Sequence, residues 1–379
     1  MKICDLTYAY SRKGGITTYI NNKKTVYNQK GIEHIIISPR KDGGDTVTVQ
    51  QDGLAKIYLV PGRKLKLDKV DNFFYRNFSS LKEILVKEKP EILEIGDSFT
   101  ATFYGKRLRR LMKGNGGKIF FFVHERLDNF YRQIFPSGIP RIFGMFATWF
   151  LRRRFLAIAD AIIANSEFTA QESRARTKKL VAVLPLGLDL KEFKNIQKDQ
   201  RLYDQLSSSG GKFIIIHVGR LERDKKIDLL VDFAKDLDHN KYQLVVLGDG
   251  LYKDKLNKIP GVTVTGLMPP PEVRRYLKIA NLGILVNDIE PYGLVGLEMM
   301  ASGLPVLGPN KGGLTTFLRK EFAWLLPYNK DKYLQALQQW NNLGPVEKTK
   351  LGQAAIKEAQ NYSLNRMVDH ILKIYQTHV

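Results

Sequence analysis

Two glutamates near the start of one helix are the residues best placed to do chemistry. Residues 290–313, EPYGLVGLEMMASGLPVLGPNKGG, follow an apolar run at 282–286 that is typical of a buried strand. Good helix formers from Leu294 to Ala301 predict a helix, so Glu290 lies in the strand-to-helix loop and Glu298 in the helix. Helix N-termini favour anions, and open α/β sheets bind ligands at the carboxyl ends of their strands. The acids therefore suit sugar or ribose hydroxyls and the helix end suits a diphosphate, although a surface glutamate and a capping glutamate would give the same spacing.

Two cations follow another apolar strand pattern. The stretch FIIIHVGRLERDKKIDLL, residues 213–230, predicts a buried strand, a turn and a helix, with Arg220 and Lys225 flanking the turn. Cations in this position could reach a diphosphate leaving group and stabilise its charge as a glycosidic bond breaks, without a metal ion. A basic surface turn is the alternative interpretation.

Two further features follow strands in the first half of the chain. Gly14 and Gly15 lie between a predicted strand at residues 2–9 and an amphipathic helical pattern from Ile16 to Gln29, an arrangement that can cradle a phosphate. His124 ends the apolar run at residues 118–123, where it points to the ligand-binding edge of a sheet. Tight turns also need glycine, and a histidine there can be satisfied by the backbone alone.

These residues need two successive α/β layers to position them. Helical patterns alternate with the apolar segments, which favours parallel, doubly wound sheets. A polar segment at residues 194–211 separates two such sets, so we expect domains at 1–193 and 208–363, with residues 364–379 packing back on the first. The expected strands of the first domain lie at residues 2–9, 34–38, 57–60, 92–95, 118–123, 161–164 and 181–184.

Composition limits the classes of protein. A chain of 379 residues with 44% hydrophobic residues can form two or three cores, and a single cysteine, Cys4, excludes a disulfide framework and a cysteine metal cluster. The N-terminus lacks a signal-peptide pattern, and no apolar run approaches the roughly 20 residues that span a bilayer. We therefore expect a cytoplasmic protein.

The net charge of +22 is uneven, with +16 in residues 1–200 and +6 in the remainder. Basic and aromatic residues alternate at 62–78, 105–118 and 126–155, which is typical of a peripheral contact with an anionic membrane. A core helix with solvated ends, or a lysine-rich composition that only aids solubility, would look the same. Nucleic acid ranks lower because no recognition motif for it is present. The candidates for the membrane or acceptor surface are Arg107, Arg109, Arg110, Arg141, Phe146, Trp149, Arg152 and Arg153.

The string at 290–313 resembles the E-x7-E signature of retaining glycosyltransferases of family 4. The resemblance covers nearly the whole chain and includes the R-L-x-x-x-K spacing at 220–225, although Lys226 stands where the family usually has glycine. It implies the GT-B fold, two Rossmann-like domains facing each other across a cleft, with the last helix crossing back to the first domain. It also implies catalytic roles for His124, Arg220, Lys225 and Glu290, and donor-binding roles for Gly14, Gly15, Gly219, Gly266, Leu267, Met268, Tyr292, Gly293, Leu294, Val295 and Glu298.

The resemblance implies a retaining hexosyltransferase that uses a nucleotide diphosphate sugar as donor substrate and needs no metal ion or cofactor. The basic, aromatic first half favours a glycolipid or lipid-linked sugar as acceptor, and similarity to lipid mannosyltransferases slightly favours GDP-mannose. The alternatives are a transferase with a soluble or polysaccharide acceptor, and a non-catalytic basic protein that binds nucleic acid or an acidic polymer. The latter leaves the paired glutamates unexplained. Oligomeric state is not predicted.

Overall fold

The chain forms two compact units. The structure, a computed structural model, describes residues 1–8, 10, 14–65, 72–126, 153, 156–208 and 211–377. The first unit comprises Met1–Gly187 and Leu364–Val379, and the second comprises Leu188–Ser363. The chain therefore passes twice between the units, and the expected packing of the last helix with the first unit is confirmed.

The first unit is built on an eight-stranded sheet with the order β10-β9-β8-β7-β1-β2-β4-β3. Every pairing is parallel except that of β3, which runs antiparallel to β4 at one edge. The strands are Lys2–Leu6 (β1), Glu33–Pro39 (β2), Thr48–Asp52 (β3), Ala55–Val60 (β4), Ile92–Ile95 (β7), Lys118–Val123 (β8), Ala161–Ala164 (β9) and Val181–Val183 (β10), and a separate hairpin joins Gly62–Leu65 (β5) to Asn72–Tyr75 (β6).

Helices cover the sheet of the first unit. Because strands β1, β7, β8 and β9 are buried along most of their length, their sequences are nearly continuous apolar runs rather than alternating ones. The helices are Gly15–Lys30 (α1), Ser79–Glu88 (α2), Ser98–Gly114 (α3) and Glu167–Arg174 (α4), and the unit is completed by Leu364–Gln376 at the end of the chain, which is α13 below.

The second unit contains a six-stranded parallel sheet with the order β13-β12-β11-β14-β15-β16. The chain starts in the middle at β11, moves outward to one side, and returns to β14 on the other side, which is the doubly wound order of Rossmann folds. The strands are Phe213–Val218 (β11), Tyr242–Leu247 (β12), Val262–Gly266 (β13), Leu282–Ile284 (β14), Val306–Pro309 (β15) and Ala323–Leu326 (β16). The helices are Lys191–Lys194 (α5), Gln200–Leu206 (α6), Ile227–Lys235 (α7), Lys253–Asn257 (α8), Pro270–Ile279 (α9), Leu294–Ala301 (α10), Lys330–Asn341 (α11) and Pro345–Ala359 (α12).

The boundary between the units differs from the expected one. The sequence set the end of the first domain at residue 193 and the start of the second at 208, whereas residues 188–207 pack with the second unit. Two ion pairs explain the difference, because Arg274 Nη1 lies 3.0 Å from Glu192 Oε2 and Arg275 Nε lies 2.8 Å from Asp199 Oδ2. Both arginines belong to α9, so a segment with the composition of a linker is attached to a helix of the second unit.

A candidate nucleotide-sugar site in the second unit

The centre of the candidate site is an ion pair between the loops that follow β11 and β14. These strands are neighbours in the sheet, and the chain reverses its direction of winding between them, which is where open α/β sheets bind ligands. Lys225 Nζ lies 2.8 Å from Glu290 Oε2, and the Asn287 side-chain amide donates to the same oxygen at 2.8 Å. Both members of the ion pair are half-buried. The structure thus brings together two of the predicted catalytic residues that are 65 positions apart in the chain.

Glycines hold the loop of Glu290 tightly against the loop that follows β15. Gly313 N donates to Glu290 O at 2.6 Å, and a Cβ atom on Gly313 would lie 1.9 Å from Pro291 O. Gly293, the residue before α10, has φ 84°, a conformation that side chains other than glycine rarely adopt. The first helical N–H groups of α10 therefore begin directly beside the Glu290 loop, in a backbone that requires glycine at both positions.

The turn after β11 contains the other cations. Arg220 is 60% exposed and its Nη2 lies 2.7 Å from Asp224 Oδ2, so the guanidinium is accessible but already paired. Lys226 has φ 58°, in the left-handed region, between the turn at Arg223–Lys225 and the start of α7. A glycine would adopt this backbone without steric cost, and the Lys226 ammonium instead lies 5.1 Å from the centre of the Tyr328 ring.

Glu298 lies in α10 and is half-buried as a residue. The pKa of Glu298 is raised to about 7, chiefly by burial. The charge of Arg274 acts against this increase in the pKa, and the charge of Glu192 adds to it. Among the described residues, no side chain or backbone group makes a hydrogen bond to this carboxyl. A desolvated carboxyl group without a partner is costly to ionise, and hydroxyl donors from a ligand would stabilise its charged form.

The remaining donor-binding candidates of the second unit lie after β11, at the end of β13 and at the start of α10. Leu267 follows Gly266 after β13 and is 78% exposed, and the nearest atom to a Cβ on Gly266 would be Lys253 Nζ at 3.8 Å. Gly219 packs closely on the loop after β12, because a Cβ atom on Gly248 would lie 1.9 Å from Gly219 O. The other predicted positions are Met268, half-exposed after β13, and Leu294 and Val295, half-buried at the start of α10.

The side chain of Tyr292 packs into the core rather than toward open space. Tyr292 is buried, and the centre of its ring lies 5.3 Å from that of Phe317. A ligand in this region would therefore meet the backbone of Tyr292. Sequence reasoning also did not identify Asn287, which donates to Glu290. Its position directly after an apolar run, three residues before a candidate acid, was the available signal.

In the first unit, the predicted glycines and His124 follow separate strands of the sheet. Gly14 and Gly15 start α1 without a side-chain cap, and Cβ atoms on them would meet no described atom within 4 Å. His124 follows β8, stacks on Phe122 with 4.3 Å between ring centres and meets the Tyr19 ring edge-on at 5.5 Å. Burial lowers the pKa of His124 to about 3, so its ring is neutral at physiological pH. A neutral imidazole can form hydrogen bonds to a sugar but does not supply positive charge.

The predicted membrane and acceptor surface is described only in part. Arg107 and Arg110 are exposed on α3, and Arg109 of the same helix forms an ion pair with Asp160. Arg153 is exposed, and Arg141, Phe146, Trp149 and Arg152 lie outside the described residues. Within the described part of the chain, each helix is too short or too polar to cross a bilayer.

Comparisons with known proteins cover both halves of the chain. The model of Glycosyltransferase Family 4 matches residues 13–192, and the model of Glycosyl transferases group 1 matches residues 199–369. The chain is 26% identical over 335 residues to the alpha-monoglucosyldiacylglycerol synthase of Streptococcus pneumoniae, a match that covers 85% of this chain and 74% of that protein. It is 25% identical over 328 residues to the GDP-mannose-dependent alpha-(1-6)-phosphatidylinositol dimannoside mannosyltransferase of Mycobacterium tuberculosis, covering 84% of this chain and 82% of that one.

Solved structures share the fold at low sequence identity. Sucrose-phosphate synthase from Thermosynechococcus elongatus matches with a TM-score of 0.79 and 18% identity, over 100% of this chain and 99% of the other. Anabaena HepE in complex with UDP matches with a TM-score of 0.72 and 14% identity, over 100% of both chains. The expected GT-B architecture, with two Rossmann-like domains, is confirmed by these likenesses.

Proposed function

The chain belongs to the GT-B glycosyltransferases of the family 4 type, and from this premise we propose that it transfers a hexose from a nucleotide diphosphate sugar to a lipid acceptor, with retention of configuration. The Lys225–Glu290 pair at the switch point of the second sheet is the observation that carries the proposal. A cation that can bind a diphosphate lies 2.8 Å from a carboxylate that can accept hydrogen bonds from sugar hydroxyls, which supports the proposal. Asn287 fixes the orientation of that carboxylate.

Each candidate residue has a role in this reaction. Arg220 and Lys225 stabilise the negative charge that develops on the leaving diphosphate, and the helix start after Gly293 adds backbone N–H groups. The Glu298 carboxylate accepts hydrogen bonds from the ribose hydroxyls, and Glu290 accepts them from the sugar. His124 in the first unit forms hydrogen bonds to the sugar and the leaving phosphate as a neutral donor or acceptor.

The chemical step is a front-face displacement. The bond between the anomeric carbon and the diphosphate oxygen breaks while the acceptor oxygen bonds to the same face of that carbon, and the acceptor proton passes to the departing phosphate. The positive charge that this leaving group requires comes from Arg220 and Lys225. We propose that no metal ion takes part.

The relatives support a lipid acceptor, since two that match 85% and 84% of this chain are named for a diacylglycerol glycolipid and a phosphatidylinositol mannoside. One face of α3 also fits a peripheral membrane contact. Phe103 is 73% exposed, and four exposed cations follow it at spacings of 3, 4, 7 and 10 residues, on the same face of the helix. These cations are Lys106, Arg107, Arg110 and Lys113. GDP-mannose is the donor that we favour, followed by a UDP-hexose.

Turnover in the presence of EDTA tests the proposal. The protein is incubated with GDP-mannose or UDP-glucose and with vesicles of dioleoylglycerol and phosphatidylinositol, and nucleotide release and glycolipid formation are measured. We expect one donor to be consumed by the wild-type protein and Lys225→Met to be at least about a hundredfold slower, because removing one such stabilising group costs about 10²–10³ in rate. Failure of every donor to bind in a thermal-shift panel of nucleotides and their sugars would favour the non-catalytic basic protein instead.

Vesicle sedimentation tests the membrane contact separately. We expect Arg107→Gln/Arg110→Gln to weaken binding to vesicles of 30% phosphatidylglycerol, whereas Lys350→Gln/Lys357→Gln, which removes two exposed cations of α12, does not. Equal losses in the two variants, or no binding by the wild-type protein, would favour a soluble or polysaccharide acceptor.

A further inference from the structure

Charged side chains are buried together inside the first unit. Asp5 of β1 and Glu94 of β7 lie directly opposite each other on paired strands, and Lys23 of α1 reaches both. Lys23 Nζ lies 2.7 Å from Asp5 Oδ1 and 2.9 Å from Glu94 Oε1. All three side chains are buried, so one ammonium group serves two carboxyl groups in a medium that penalises net charge. With both carboxyls ionised, the group would carry one uncompensated negative charge.

Neighbouring polar groups do not supply the missing positive charge. His34 Nε2 of β2 lies 2.6 Å from Asp5 Oδ2, but burial lowers the pKa of His34 below its usual value, which favours the neutral ring at pH 7. The hydroxyl groups of Tyr19, at 3.2 Å, and Tyr375 donate to Glu94, and neither is charged. Tyr27 of α1 also packs beside the group, and the centre of its ring lies 5.0 Å from that of His34.

Of the two carboxyl groups, that of Glu94 is therefore the one that gains a proton. Burial, reinforced by Asp5, raises the pKa of Glu94 to about 7, whereas Lys23 and His34 hold the pKa of Asp5 below its usual range. A protonated Glu94 makes the Asp5–Lys23–Glu94 group neutral. Its carbonyl oxygen then accepts from Lys23 and Tyr19, and its hydroxyl group pairs with the Tyr375 hydroxyl.

We propose that Lys23 and Glu94 are positioning residues for the transfer reaction, and that Glu94 acts in its protonated form. The inference rests on the proposed function, because α1, which the group holds, begins at the candidate Gly15 and contacts the candidate His124 through Tyr19. Lys23 lies two turns after the Gly15 start of α1, and the Tyr19 ring, held through its hydroxyl group by Glu94, packs edge-on against His124. The same carboxyl attaches α13 through Tyr375.

Loss of the proton from Glu94 would disturb its contacts with Lys23, Tyr19 and Tyr375 together. A buried, uncompensated carboxylate attracts water or separates from its neighbours, which loosens Tyr19 and the start of α1. The rate at saturating donor would then fall as the pH rises through about 7, by about tenfold at pH 8 if the deprotonated form is inactive.

Glu94→Gln provides the first test, because the amide reproduces the protonated acid. Its oxygen accepts from Lys23 and Tyr19, and its NH₂ group donates to Tyr375. We expect the alkaline fall in kcat between pH 6 and pH 8 in the wild-type protein and a flat profile in Glu94→Gln, with similar KM values for the nucleotide sugar. An unchanged profile in Glu94→Gln would overturn the inference.

A matched pair of tyrosine variants separates positioning from simple loss of packing. Tyr375→Phe and Tyr75→Phe each remove one buried hydroxyl group, but the Tyr75 hydroxyl donates to Ile37 O at 2.8 Å and does not contact the Asp5–Lys23–Glu94 group. Since the Tyr375 hydrogen bond lowers the pKa of Glu94, its loss moves the midpoint of the kcat profile to higher pH. Tyr75→Phe leaves the midpoint unchanged even if it lowers Tm, and equal midpoints in both variants would contradict the inference.

Thermal unfolding over the same pH series does not depend on turnover. We expect the Tm of the wild-type protein to fall relative to that of Glu94→Gln as the pH rises from 5 to 8. If the wild-type protein turns over no donor, the proposed function fails and the reaction role fails with it, whereas the Tm comparison still decides whether Glu94 carries the proton. Parallel Tm curves would show that it does not.

Discussion

Donor binding should depend on pH through Glu298. In the protein without a ligand, burial raises the pKa of this carboxyl from its usual 4.5 to about 7. Because one pKa unit corresponds to about 1.4 kcal/mol, ionising Glu298 costs about 3 kcal/mol more than ionising a glutamate in water. If the ribose hydroxyls bind the carboxylate form, the apparent Kd at pH 5.5 should be about 30-fold higher than at pH 8, since most molecules must lose a proton to bind.

Glu298→Gln should remove this dependence. The neutral amide cannot accept charge-assisted hydrogen bonds, which contribute about 1.5–3 kcal/mol each, so we expect at least about tenfold weaker binding at pH 8 and a flat pH profile. Stability should change in the opposite sense. A raised pKa makes the stabilising contribution of Glu298 present below pH 4.5 and lost as the pH rises through about 7, so Glu298→Gln should have the higher Tm at pH 8.

Isothermal titration with GDP-mannose and UDP-glucose in EDTA measures both effects, because the diphosphate of an intact nucleotide sugar does not itself titrate in this range. Glu321→Gln, at an exposed glutamate of the same unit, is the matched control and should follow the wild-type profile. A wild-type Kd that is constant from pH 5.5 to 8, or a Glu298→Gln variant that keeps the slope, would refute the assignment of the ribose to Glu298.

Three further predictions concern the loops of the second unit. Lys226→Gly should be about 1 kcal/mol more stable to urea than Lys226→Ala, because both variants lose the contact with Tyr328 but only glycine adopts the left-handed backbone without strain. Equal stabilities of the two variants would show that the backbone of the turn relaxes. Gly313→Ala should destabilise the protein by about 1–3 kcal/mol and weaken donor binding, because the added Cβ would overlap Pro291 O. If the variant had the same Tm and Kd as the wild-type protein, the loop would accept the Cβ at no cost. Lys225→Arg should restore part of the rate lost in Lys225→Met, as measured by nucleotide release, whereas no recovery would show that the compact ammonium of Lys225 is itself required.

The sequence predicted the elements bounded by strong local signals. The strands at Ile92–Ile95, Lys118–Val123 and Ala161–Ala164 and the helix at Leu294–Ala301 have the expected limits, because an apolar run that ends at glycine or at polar residues determines them locally. The Lys225–Glu290 pair was not predictable as a contact, since it depends on the neighbouring positions of β11 and β14 in the sheet.

Some contacts could not be predicted because the partners are distant in the sequence. Arg109 was a candidate for the membrane or acceptor surface, and its ion pair with Asp160, 51 residues away, gave no signal in the sequence. Lys23 gave no signal at all, since a lysine in an amphipathic helix is normally exposed. Lys23 can be buried because its ammonium group pairs with Asp5 and with Glu94, which lies 71 residues further along the chain.

The return of the chain to the first unit has a consequence for folding during synthesis. Helix α13 is made after the whole of the second unit, yet it buries Met367, Ile371 and Tyr375 in the unit that contains β1. The second unit is continuous from Leu188 to Ser363 and can fold as soon as it emerges. The first unit must instead wait, with the apolar surface that α13 later covers still exposed, until α13 has been made, so its last folding step follows synthesis of the whole second unit.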